Sequence, residues 1–79
     1  MSRSEAVFRF TTPHAQKILQ AIEPELSDEV NPRSTTIASL DGDSTLILRV
    51  LASDTAALRA ALNMALRLVN VADEMQHIV

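Results

Sequence analysis

The sequence predicts an α+β domain of five elements in the order β-α-β-β-α, folded as a two-layer sandwich. Three observations carry that expectation. Every second residue is apolar in Ala6, Phe8 and Phe10 and again in Leu46, Leu48 and Val50, the period of a strand with one buried face. Apolar residues recur at helical spacing over 15–22 and over 56–75. The one glycine, Gly42, stands between two aspartates, where a hairpin would turn.

Residues 4–11 read as the first strand, with Ala6, Phe8 and Phe10 on one face and Glu5, Val7 and Arg9 on the other. Thr12-Pro13 is a helix start: the Thr hydroxyl can accept a backbone N–H, and proline is tolerated at the first helical position. The helix carries Ala15, Ile18, Leu19 and Ile22 on one stripe. Pro24 is expected to end it, because a residue preceding proline avoids helical geometry. Residues 23–32 then read as an acidic, solvated loop, with Leu26 and Val30 as anchors.

Residues 33–40 and 44–51 form the expected hairpin. Leu46, Leu48 and Val50 share the apolar face of the third strand, and Ile47 and Arg49 point the other way. The register stays open. A two-residue turn sets Ile37 on the Leu46 face, whereas a three-residue turn sets Ala38 and Leu40 there. Ser53-Asp54 offers a second N-cap, and a long helix runs from there to about Ala72 or beyond.

A strand order of 1-3-2 with both helices on one face satisfies these connections, like a split βαβ unit lacking its last strand. The first strand then lies at an edge. Bare edges are covered or paired in natural proteins. Pairing of this edge with its twofold mate would give a six-stranded sheet.

Composition points the same way. A chain of 79 residues usually needs a disulfide, a metal or a partner to reach useful stability. There is no cysteine, and His14 and His77 stand far apart without a ligand pattern. A homodimer is therefore expected, with no cofactor and no metal. The polar start of the chain does not resemble a signal peptide, and no apolar run reaches membrane-spanning length. A cytoplasmic protein without membrane contact is expected. The net charge of −3 argues against a chain that binds nucleic acid unaided.

The second long helix has more apolar surface than a sheet requires. Counting 100° per residue, its polar residues, among them Arg59, Asn63 and Arg67 at four-residue spacing, occupy about 120°. The remaining circumference is apolar, roughly twice the stripe that packing on one sheet needs. Leu58, Ala61, Leu62, Met64, Ala65, Leu68, Val71 and Met75 are accordingly expected at a partner or dimer interface, joined by Phe8 of the first strand. Arginine suits phosphate contacts, so Arg59, Asn63 and Arg67 read either as candidate RNA-binding residues or as an ordinary solvated face. Arg9 and Arg49 fall on the sheet face away from the core, where they are expected either to form a small basic patch, as further candidate RNA-binding residues, or simply to face solvent.

No catalytic pattern is present. There is no Cys nucleophile, neither His has an evident orienting acid, and one glycine makes no phosphate-binding loop. An RRM-type stacking sheet would need aromatics that the middle strand lacks. The sequence predicts that the chain is not an enzyme.

The stretch Ala52-Ser53-Asp54-Thr55-Ala56-Ala57-Leu58-Arg59-Ala60-Ala61-Leu62-Asn63-Met64-Ala65-Leu66-Arg67 resembles the signature helix of the small Pcc-type subunit of the archaeal and eukaryotic KEOPS complex. Pro24-Glu25 and Arg33-Ser34 are similar to two further landmarks of that family, and Met64 departs from its usual small residue. The resemblance implies a β-α-β-β-α homodimer without catalytic activity. It also implies a subunit that docks the catalytic ATPase-type subunit and assists tRNA binding, while that partner modifies adenosine 37 with a threonylcarbamoyl group. By the same resemblance, the apolar arc of the long helix is the dimer and docking surface. Arg59, Asn63 and Arg67 match the candidate tRNA contacts. The alternative is a small homodimeric protein-interaction scaffold with no RNA role.

Overall fold

The structure is a computed structural model that describes residues 3–28 and 33–76. Five elements follow one another: β1 (Ser4–Thr11), α1 (Ala15–Asp28), β2 (Ser34–Leu40), β3 (Thr45–Ala52) and α2 (Thr55–Gln76). The sheet has the order β1-β3-β2, and both neighbouring pairs are antiparallel. β1 and β2 therefore run parallel to each other with β3 between them, and both are edges.

Alternation along the strands sorts their side chains. Leu46, Leu48 and Val50 of β3 are fully buried under the helices. Phe8 and Phe10 of β1 stand on the same face, half-buried against the core, with ring centroids 6.3 Å apart. Phe8, expected at a partner or dimer interface, stands on the helix-layer side of the sheet, the side of its strand partner Leu48, on the edge strand β1.

The hairpin adopts the second of the two registers. Leu40 lies opposite Leu46 and Ala38 opposite Leu48, so Ile37 falls on the open face opposite Arg49. The Asp41 N–H bonds to the Thr45 carbonyl at 2.9 Å, which leaves Gly42, Asp43 and Ser44 as the turn. Gly42 has φ of 72°, a left-handed conformation that glycine adopts without the Cβ penalty.

α1 begins as the sequence suggests: the Thr12 hydroxyl accepts the His14 N–H at 3.1 Å. Its end differs. Pro24 lies inside α1, which continues to Asp28, so residues 23–28 are helical rather than loop. Proline in a helix removes one hydrogen bond, that to the carbonyl four residues back. That carbonyl belongs to Gln20, and Gln20 and Pro24 are both exposed, so the break lies on the solvent side of the helix. Continuing the helix also brings Leu26 onto the core. Val30 and His77 lie outside the described residues.

α2 starts at a working cap. Asp54 accepts the Ala57 N–H on its carboxylate at 2.7 Å and the Leu58 N–H on its carbonyl at 3.0 Å. The helix lays Ala57, Ala61, Ala65, Val69 and Ala72 against the sheet and α1. These small side chains at helical spacing let a 22-residue helix lie close to the sheet.

Candidate functional site

Burial divides α2 into three strips. The row from Ala57 to Ala72 is inside the protomer, and Ala65 is only 1% exposed. Ala61 and Ala65, expected at an interface between chains, are thus consumed by the protomer's own packing. The sequence pattern marks them as apolar without saying which surface they meet. On one side of this row, Leu58, Leu62 and Leu66 are half-buried. On the other side Met64 and Leu68 are half-buried, and Leu68 packs on the core.

Two exposed features remain. Arg59, Asn63 and Arg67 stand in one exposed line along the helix. Neither arginine has a carboxylate partner among the described residues. Beside Arg67 runs a second strip, Ala60, Met64, Val71 and Met75, within about 60° of arc. Val71 and Met75 are 57% and 62% exposed, the most exposed large hydrophobic side chains of the helix layer among the described residues. α1 and the sheet cover most of the helix's surplus apolar surface, and this strip is what they leave.

The open face of the sheet is different in character. Arg9 and Arg49 do reach it, yet each is matched by a carboxylate. Arg49 donates to Glu5 at 2.9 and 3.2 Å, and Arg9 donates to Asp41. The face is therefore a set of ion pairs rather than a basic patch. Around the pairs lie Val7 and Ile37, about half exposed, on either side of Arg49.

A third feature was not anticipated. At the end of the sheet where β1 and β2 begin, Arg33 pairs with Asp54, and Arg3 stands nearby at the start of β1. The Ala57 N–H first, and then Arg33, hold the Asp54 carboxyl below its usual range. The signal that could have found this cluster is the strand order itself. In a 1-3-2 sheet, the residues just before strands 1 and 2 flank the residue just after strand 3.

Among the described residues, no group of His, Asp or Glu is placed to hold a metal ion, and no helix is long and apolar enough to cross a membrane. The exposed features are an apolar strip, a line of unpaired arginines and the two edges of a sheet. These belong to a small α+β domain of three antiparallel strands and two helices. The chain matches the family model described as transcription factor Pcc1 over residues 3–77, and it belongs to that family, the family of the KEOPS subunit. The family places it as a KEOPS-associated subunit within the machinery of tRNA processing, and its members are non-catalytic accessory subunits. No curated protein matches the chain significantly.

Proposed function

We propose that the chain is the accessory and dimerisation subunit of a KEOPS complex in the cytoplasm, where it docks the catalytic ATPase-type subunit and helps hold the tRNA. The observation that carries this reading is the division of α2, which presents an uncovered apolar strip directly beside unpaired arginines. A partner helix packed on Met64, Val71 and Met75 would bury the strip, with the methionines adapting to its shape. RNA held by the partner would then run past Arg59, Asn63 and Arg67. The chain's charge of −3 is compatible with this, because the phosphate contacts are shared across the assembly.

The homodimer is proposed to form along β1. The Thr12 N–H bonds to Ser44 at 2.8 Å, and that pairing alternates along the strands, so Glu5, Val7, Arg9 and Thr11 turn their backbone groups outward. An antiparallel twofold centred on Val7 sets Glu5 opposite the partner copy's arginine and Arg9 opposite its glutamate. Opposite charges directly across a pair are favourable, and like charges are not.

Co-purification with an ATPase-type KEOPS subunit tests the docking. Stable complex formation is expected, along with stronger tRNA retention when the chain is present. Absence of a complex between the two purified chains overturns the docking reading. Mass measurement tests the dimer: Glu5→Arg should dissociate it, and Glu5→Arg with Arg9→Glu should restore it.

A further inference from the structure

We propose that the concavity between Arg3 and Arg33, at the end of the sheet where β1 and β2 begin, is a binding site for a phosphate group. The site follows from strand register. Ser53 donates its N–H to the Arg33 carbonyl at 2.8 Å, so Arg33 lies beside Ser53 as the next pair beyond Ser34 and Ala52. On the other side, the pairing of Ser4 with Ala52 extends by one step to set Arg3 beside Ser53. Three residues that flank the ends of the three strands thus form one row, Arg3-Ser53-Arg33. Strand spacing puts the two arginine backbones about 10 Å apart. Side-chain alternation puts both on the side of Thr35, with Ser53 between them.

The row closes around a cavity of about 170 Å³ lined by Arg3, Arg33, Ser34, Thr35 and Ser53 among others. That volume corresponds to roughly five or six water molecules, enough for a phosphate group with part of its hydration. The lining supplies two guanidinium groups and three hydroxyls. Asp54 engages Arg33 and is itself fixed by capping α2, so it anchors that guanidinium to a rigid element. Arg3 has no carboxylate partner among the described residues. Arginine's planar fork matches phosphate oxygens. The N-terminus of α2 is already capped by Asp54, so the donors here are side chains.

The phosphate belongs either to a polynucleotide backbone or to a free nucleotide, and only the first assignment rests on the tRNA reading above. Binding itself is tested on the full chain alone, with inorganic phosphate as the probe and backbone amide NMR as the readout. Saturable shifts are expected at Ser34, Thr35 and Ser53, with none from chloride at equal ionic strength. Arg3→Gln should weaken the phosphate affinity at least fivefold. Because Arg33→Gln also removes Asp54's partner, Arg3→Gln is the decisive variant, with circular dichroism confirming its fold. Displacement of phosphate by tRNA but not by AMP assigns the site to a polynucleotide, and displacement by AMP assigns it to a nucleotide. The absence of saturable shifts, or unchanged affinity in Arg3→Gln, overturns the site and leaves the docking reading of α2 untouched.

Discussion

On the open face of the sheet, Arg9 and Arg49 each lie against a carboxylate; on the outer surface of α2, Arg59 and Arg67 lie against none among the described residues. The difference comes from the geometry of the two elements. A strand residue meets the residues of a neighbouring strand, opposite and diagonal to it. Arg49 lies opposite Val7, and so diagonally from Glu5. A helix residue meets chiefly those three and four positions away. Around Arg59 these are Thr55, Ala56, Leu62 and Asn63, and around Arg67 they are Asn63, Met64, Asn70 and Val71. None is acidic. The same residue type is therefore neutralised in one layer and left available in the other. A basic patch inferred from strand alternation alone misses the cross-strand acid.

Reversing charge in each layer breaks or sharpens the contrast. In the assembled complex, Arg59→Glu with Arg67→Glu should lower tRNA affinity by about tenfold or more and flatten its salt dependence. Arg9→Gln with Arg49→Gln should change affinity less than about twofold, since those charges are already matched. Filter binding at two salt concentrations reads both pairs of variants. Equal losses would place the RNA on the sheet as well and erase the distinction.

The apolar exposures admit the same comparison. Val71→Asp and Met75→Asp should each weaken capture of the ATPase-type subunit several-fold, because a charge in a dry contact is costly. Val7→Asp on the open face should leave capture unchanged. A Val7 variant that loses the partner while the Val71 and Met75 variants keep it would move the docking surface to the other layer.

Smaller effects concern the turn and the cap that hold the layers together. Gly42→Ala places a Cβ at a positive φ with no atom within 4 Å, so the cost is backbone strain alone. That cost is about 1 kcal/mol, readable in urea unfolding, and Gly42→Asn should recover part of it. Asp54 sets a pH dependence. Its carboxyl is held below its usual range in the folded chain, so at acid pH the unfolded chain binds the proton more readily. Its stabilising contribution is complete above the ordinary aspartate value of about pH 4, and it is lost as pH falls below that through the folded value. Asp54→Asn keeps a capping side chain while removing this titration. Urea melts between about pH 5 and pH 2 should therefore show a shallower pH slope in the variant.

Most of the fold was legible because it rests on local periodicity. The first strand, both caps, the long helix and the strand order follow from alternation, helical spacing and the handedness of connections. The end of α1 was not legible. Proline's penalty is local, whereas the compensation comes from Leu26 reaching the core and Gln20 facing water. In the candidate site, the line Arg59-Asn63-Arg67 could be drawn from spacing. The role of Ala61 and Ala65 could not, because an apolar helix face carries no label for the surface it meets.

By itself, then, the sequence determined the order and kind of the elements, the wide apolar arc of the second helix and the line of Arg59, Asn63 and Arg67 along it. All of these depend on residues a few positions apart. Tertiary structure decided which apolar strip of α2 remained uncovered, which arginines found carboxylates, and that Arg3 and Arg33 flank Ser53. Those outcomes depend on residues brought together by strand register over separations of about twenty to fifty positions, where a one-residue slip sends every side chain to the opposite face.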